Sequence, residues 1–333
     1  MVRREQSGNP LEIAFSAEDM ARTRFAVSPL WEVVASVRVL KGADPGGLHR
    51  RWTERVRPAL AAAKLDLAPL FDLIAVPTRG IPGFLVPPPT TPQPSLEVEL
   101  TTLRATPEAE LRRTTTKAAL PRVEALCADP DRELGRLAEA VAAYWEVALA
   151  PHWARIRALC EGDILYRATR FADGGARRLF ADLSPQTAWD SGTLRLEHRF
   201  LSGRRDLAGR GLLLCPSVFV WPRIFVTLED HEPQPALRYP PRGVGTLWEP
   251  RPCRSTRVLA AVLGRTRALL LAELAEPAST TDLAHRMGLS PGAVSQHLTA
   301  LRDAGLVSAH RTGRVVLYAR TRVAEALVEG ERR

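Results

Sequence analysis

Apolar residues recur at helical spacing over two long tracts of the chain, and between those tracts the spacing shortens to that of strands. The first helical tract runs from about 107 to 161. In it Leu134, Leu137, Val141 and Tyr144 form an i, i+3, i+7, i+10 stripe, as one buried helix face requires. Ahead of it, "LEIAF" at 11–15 reads as a short strand. A helix follows, with Ser16 as its cap and Asp19 at the capping-box position. Pro29 interrupts that pattern, and "SPLWEVVASVRVL" (28–40) predicts a restarted helix with proline in its first turn. "GLHRRWTERVRPALAAA" (47–63) predicts another helix, and the Pro-dense "PTRGIPGFLVPPPTTPQP" (77–94) is expected as a long surface loop.

From about 178 to 240 the pattern shortens. "TLRLEHRFL" alternates in part, and "LLLCPSVFVW" and "RIFVTLE" are apolar or β-branched, with turn residues between them. This predicts an antiparallel β section packed on the preceding helices, hence an α+β class. A second Pro-rich stretch, 232–255, is the linker candidate. It divides the chain into a region of residues 1–250, regulatory or dimerising, and a domain of residues 255–330.

Past the linker the helical period resumes. "TRVLAAVLGRTRALLLAELAEP" (256–277) predicts a helix stopped by Pro277. Ser279 or Thr280 then caps a short helix that Gly288 ends. Ser290 caps the next one, with Pro291 at its first position and Val294, Leu298 and Leu301 on its core face. Two helices joined by the tight turn "MGLS" make a helix-turn-helix pattern, which by itself also suits an ordinary helical domain. The strand-turn-strand "VSAHRTGRVVLYAR" (307–320) follows, placing Arg311, Thr312 and Arg314 at its turn, and the set reads as a winged helix.

In such a domain the second helix (290–304) enters the DNA major groove by its N-terminal turn, and the wing (308–316) reaches adjacent phosphate. Gly292 and Ala293 let the backbone approach the groove, and Ser290 begins a helix N-terminus that suits phosphate. Gln296 can read adenine through two hydrogen bonds, Ser295 and Thr299 suit bases or phosphate, and Arg302, Arg311 and Arg314 suit phosphate. Packing or phosphate contact outweighs metal ligation for His297, because one imidazole cannot build a four-ligand zinc site.

Composition adds a modest constraint. The 333 residues are 45% hydrophobic and 25% charged, ordinary globular values for two or three domains. Net charge is +9, and from Arg254 onward 12 arginines and no lysine face 7 acidic residues, which permits a polyanionic partner. Only three lysines stand among 46 basic residues, so single arginines carry less weight in this Arg-rich chain. Four cysteines lie far apart without a CxxC pair, and no signal-peptide pattern or span-length apolar run is present, so a reducing cytoplasm is expected. No GxSxG, HExxH, GxGxxG or Walker pattern occurs. A His152–Asp163 dyad is the remaining catalytic candidate, and an enzyme or ligand-binding domain fused to a DNA-targeting module is the alternative reading. Trp145, Trp153, Phe219 and Trp221 are candidates for a ligand pocket or for plain core. Arg204, Arg205 and Arg210 are candidates for anion binding or a solvated loop.

The motifs "S-x-H-L-x-x-L-x-x-A-G-L-V" (295–307) and "G-R-x-x-x-Y" (313–318) resemble the ArsR-type winged-helix repressors over about residues 256–328. The resemblance implies a DNA-binding homodimer, with helices at 256–275 and 321–330 supplying dimer contacts. It implies no metal sensing and no cofactor here, since the helix before the recognition helix has one His and no Cys and the last helix has no His. Upstream, "SAEDMARTRFAVSPLWE" (16–32) and "GRGLLLCPSVFVWPR" (209–223) are similar to an uncharacterised domain placed ahead of such winged helices in regulators of GC-rich bacteria. That likeness implies an architecture and leaves a small-molecule effector open.

Overall fold

The computed structural model describes residues 10–78, 80–113, 120–198, 200–228, 234–248, 257–312 and 315–330. The chain divides into two compact units, residues 1–153 with 163–248 and residues 154–162 with 249–333. The sequence-based boundary at 250–255 lies outside the described residues.

The first unit opens with β1 (Leu11–Ala14), α1 (Ala17–Arg22), β2 (Arg24–Phe25), α2 (Pro29–Leu40), α3 (Arg50–Ala63) and α4 (Ala68–Phe71). The helices α5 (Leu96–Arg104), α6 (Glu108–Arg112), α7 (Leu120–Ala128) and α8 (Pro130–Ala148) follow, then the long α9 (Ala150–Phe180), of which residues 154–162 are counted with the second unit. Next come β3 (Thr187–Asp190), β4 (Thr193–Leu196), β5 (Gly203–Asp206), β6 (Leu213–Pro216), β7 (Phe225–Thr227) and β8 (Ala236–Tyr239). The Ser16 capping box forms as expected. Ser16 Oγ accepts from Asp19 N at 3.1 Å, and Asp19 Oδ2 accepts from Ser16 N at 2.9 Å. The stripe Leu134, Leu137, Val141 and Tyr144 is buried on α8.

The strands are not simply antiparallel. They form two four-stranded sheets, ordered β3-β4-β1-β5 and β2-β6-β8-β7. In the first, β1 runs antiparallel to β4 (Leu11 opposite Leu196) and parallel to β5 (Leu11 opposite Gly203). In the second, β6 is parallel to both β2 and β8. The N-terminal strands β1 and β2 supply two of these three parallel pairings from far away in sequence, which local alternation cannot reveal. Both sheets bury into one core that includes Ile13, Leu194, Leu214, Leu237 and Phe180.

Helix α2 is the centre of this unit, and all twelve of its residues are buried. It packs against α3, α5, α8 and the turn at Val218–Val220. Its polar side chains are satisfied inside the protein, as burial demands. Trp31 Nε1 donates to Ser217 Oγ at 2.9 Å, and Ser36 Oγ lies 2.9 Å from Tyr144 Oη. Glu32 accepts from Val218 N at 2.8 Å and Phe219 N at 3.4 Å. From α5, Glu99 accepts from Ser28 Oγ at 2.6 Å and Leu30 N at 2.7 Å, closing the first turn of α2.

Two expected irregular segments differ in the structure. Segment 77–94 lies at the surface only in part: Pro77 and residues 90–93 are exposed, whereas Phe84 and Leu85 are fully buried and Pro82, Pro89 and Pro94 are buried with them. Proline brings no N–H to satisfy, so its ring goes inside once its carbonyls find donors. Arg24 Nη2 serves Pro89 O, Val27 N serves Pro92 O and Arg238 Nη2 serves Val86 O. The linker candidate 232–255 likewise contains β8 and further buried residues through Val244 and Leu247, so its residues 234–248 are not a linker. Finally, α9 is kinked at Gly174–Gly175, where Gly175 has φ +61°. Buried Arg167 ties its two arms by donating to Asp163 Oδ2, Leu179 O and Asp182 Oδ1.

The second unit contains α10 (Arg257–Leu263), α11 (Arg265–Glu273), β9 (Ala278–Ser279), α12 (Thr280–Met287), α13 (Pro291–Asp303), β10 (Val307–Thr312), β11 (Val315–Arg320) and α14 (Arg322–Gly330). The single helix expected over 256–277 is two helices. Gly264, at φ +82°, breaks it in a left-handed conformation that few other residues adopt. Strands β10, β11 and β9 form an antiparallel sheet beside a core of Leu270, Leu271, Leu283, Val294, Leu298 and Leu301.

Burial raises the Glu32 pKa to about 8 and the Glu99 pKa to about 7, against hydrogen bonds that favour the ionised forms. Acids raised in the folded state stabilise most below their ordinary value of 4.5, and that contribution is lost as pH climbs through about 7 and 8. The thermal midpoint of the intact chain is expected to decline from about pH 5 to pH 9, and Glu32→Gln to flatten the decline. Scanning calorimetry across that range checks it, and identical pH profiles for the two proteins would contradict the assignment.

Candidate nucleic-acid interface

The second unit builds its outward helix from local signals. Ser279 caps α12, its Oγ accepting from Asp282 N at 3.2 Å. Gly288 ends that helix in the left-handed region at φ +65°. Ser290 then caps α13, its Oγ accepting from Ala293 N at 3.3 Å, with Pro291 in the first turn. The inner face of α13 is buried through Val294, Leu298 and Leu301. The expected outer residues Ser290, Gly292, Ser295, Gln296, Thr299 and Arg302 are all exposed, and Ala293 is half-buried. One helix face therefore presents an amide, two hydroxyls and a guanidinium to solvent, beside a helix N-terminus whose dipole favours anions.

Gly292 is open. A Cβ built there would meet nothing within 4 Å, so the fold does not require glycine at this position. Arg302 pairs with Asp303 at 3.3 Å, and both side chains are at least half exposed, so the pair is weak and exchangeable. His297 is half-buried at the flank of the core stripe. At the expected wing, β10 and β11 pair antiparallel from Val307 opposite Arg320 to Thr312 opposite Val315, and Arg311 is exposed. Arg314, expected on the wing, and the Thr312 side chain lie outside the described residues.

Arg320, to which no role attaches from sequence, anchors the β10–β11 pair. Its Nε donates to Leu271 O at 2.6 Å and its Nη2 to Ala272 O at 2.8 Å, at the end of α11. These bonds satisfy carbonyls that a helix end leaves unpaired and fix β11 against the helical core. An arginine closing a strand carries no sequence signal for that role in a chain this rich in arginine.

The other candidates separate. His152 and Asp163 lie eleven residues apart on α9, about 16 Å by helical rise, so the dyad does not form. The His152 ring packs edge-on against Trp248, and Asp163 holds Arg167 and accepts from Arg242 N. Phe219 belongs to an aromatic core with Trp52, Trp248 and the buried His49. Trp145 and Trp153 pack against each other, and Trp221 is 37% exposed. Arg204 and Arg205 are exposed on β5, and Arg210 Nε donates to Leu207 O. Among the described residues no cluster of three His, Cys, Asp or Glu has metal-site geometry, and no helix is long and apolar enough to cross a membrane.

Comparison with known proteins bears on the same unit. Residues 266–309 match the family described as "Bacterial regulatory protein, arsR family", which takes in α11, β9, α12, α13 and the start of β10. Over 74 residues, 21% of this chain, the sequence is 39% identical to the HTH-type transcriptional regulator NmtR of Mycobacterium tuberculosis (strain ATCC 25618 / H37Rv). That stretch spans 62% of the curated relative's length. No solved structure matches the chain. The C-terminal unit of this chain therefore carries an arsR-family helix-turn-helix domain.

Proposed function

We propose that the protein is a cytoplasmic transcription regulator that binds operator DNA as a homodimer, acting by binding and not by catalysis. The observation that carries this reading is the exposed row Ser295, Gln296, Thr299 and Arg302 on a capped helix in an arsR-family helix-turn-helix. In this reading α13 enters the major groove, Gln296 reads a base edge, and Arg302, Arg311, Thr312 and Arg314 engage phosphate. Gly292 and Ala293 let the α13 backbone come close to the groove, which explains why an unconstrained position is glycine. The first unit serves as a sensor or a dimerisation scaffold, and repression is the expected sense of regulation.

Support for a homodimer comes from apolar side chains left in solvent on the terminal helices of the winged unit. Val262 on α10 is 80% exposed, and Val323 and Leu327, one turn apart on α14, are 60% and 43% exposed. Exposed apolar residues at one helical spacing suit a covered face. The double variant Val323→Asp/Leu327→Asp is expected to shift the sedimentation profile from dimer to monomer. A dimer surviving both changes would move the interface elsewhere.

DNA binding is tested on a duplex selected from a random library by the intact protein. Gln296→Ala should cost about 1–3 kcal/mol on the selected site and little on a scrambled one. Arg311→Ala should weaken both duplexes alike and flatten the salt dependence, by about one unit of log–log slope for each phosphate it ceases to neutralise. Equal losses for Gln296→Ala on both duplexes would remove Gln296 from base reading. Failure of the protein to enrich any duplex would overturn the proposed function itself.

A further inference from the structure

The first unit encloses a chamber of about 730 Å³, within the size range of small-molecule sites. Its walls come from β7, β8, the buried proline-rich segment and the turn after β4. Part of the lining is apolar and aromatic, with Trp31, Phe225, Ile81 and Leu201. The charged lining among the described residues is one-sided: Arg205, Arg223 and Arg238 against the single carboxylate of Glu197.

The aromatic wall is itself charged from behind. The Arg38 guanidinium lies 4.2 Å from the Phe225 ring centre, Phe225 packs 5.5 Å from Trp31, and the Arg238 guanidinium lies 4.3 Å from the Trp31 ring. Two cations thus sandwich two rings, and both arginines are nearly fully buried. Arg238 is held by Thr227 Oγ1 at 2.9 Å and Val86 O at 3.1 Å, and Arg38 Nε donates to Thr78 Oγ1 at 2.9 Å. Among the described residues no carboxylate forms an ion pair with Arg38 or Arg223. Burial and the nearby charge of Arg223 push the Arg38 pKa down to about 10. Glu99, the carboxylate whose charge reaches Arg238, is engaged by Ser28 and Leu30 and is itself raised to about 7. Among the described lining residues three arginines face one carboxylate, so an anion entering the chamber would meet a net positive lining.

We propose that this chamber binds a small organic acid, a monocarboxylate on an aromatic or aliphatic body. Arg223 at the mouth and Arg238 on the wall face the carboxylate, whose two oxygens match the guanidinium fork. Trp31, Phe225 and Leu201 cover the apolar body. A phosphate monoester fits less well, because a dianion would lie against aromatic faces, and at the α2 N-terminus, where Trp31 lines the chamber, the N–H groups of Leu30 and Trp31 already donate to Glu99 and Ser28 Oγ. The site lies wholly within the first unit, so it stands whether or not the second unit binds DNA.

The test uses the full chain and calorimetric titration with benzoate, 2-naphthoate and decanoate, each beside its neutral primary amide, with inorganic phosphate as a further arm. At least one acid is expected to bind about tenfold or more tightly than its amide, the size of one charge-assisted hydrogen bond. Arg223 is exposed, so Arg223→Gln should keep the unfolding midpoint, weaken the acid about tenfold and leave the amide unchanged. Phe225→Leu should weaken acid and amide together. No binding by any acid, equal binding of acid and amide, phosphate binding as tight as the best acid, or indifference of the acid to Arg223→Gln would each overturn the proposal.

Discussion

A helix with no face in water must find every polar partner inside the protein, and α2 imposes that constraint on the whole first unit. Its N-terminus needs an acceptor for Leu30 N, which Glu99 supplies from α5. Its own Glu32 fastens the turn at Val218–Val220, and its Trp31 fastens Ser217 just before that turn. Thus a buried segment of residues 28–40 decides where α5 lies and where the chain leaves β6. A buried carboxylate accepting backbone N–H groups is directional, so it sets geometry as well as energy.

The same helix links fold to chemistry within the unit. Trp31 is the ring on which Arg238 stacks, and Arg38, two turns further along α2, stacks on Phe225. The helix therefore gives the chamber its Trp31 wall and sets the charge of Arg38 behind the Phe225 ring. Burying α2 leaves its cation without bulk water, and the rings of Trp31 and Phe225 replace part of that hydration. The second unit reaches its geometry differently. Caps at Ser279 and Ser290 and the left-handed turn at Gly288 are local devices, and Arg320 then locks β11 to α11.

That difference explains what could be read in advance. Ser290, Pro291 and the spacing of Val294, Leu298 and Leu301 announce α13, its cap and its buried face, because each signal acts within four residues. The faces of Gln296 and Thr299 follow from the same period. The first unit resisted where partners are distant: β1 beside β5 and Glu99 beside Leu30 join residues with no shared local pattern. Gly264 was legible in type but not in effect, since glycine within a helical period is tolerated as often as it breaks the helix. The chamber was illegible altogether. Trp145, Trp153, Phe219 and Trp221 are the conspicuous aromatics of the sequence, while the rings that line the chamber sit in ordinary apolar runs.

Segment 77–94 has a practical side as well. Irregular, proline-dense stretches are the usual places to insert a tag, graft an epitope or nick a chain, on the assumption that they hang in solvent. Here the carbonyls of Val86, Pro89 and Pro92 are acceptors for Arg238, Arg24 and Val27, and Phe84 and Leu85 are core residues. Residues 80–89 work as an internal spacer, so lengthening them would pry apart the interior, whereas residues 90–93 are exposed. Engineering of this protein belongs on its exposed helix faces.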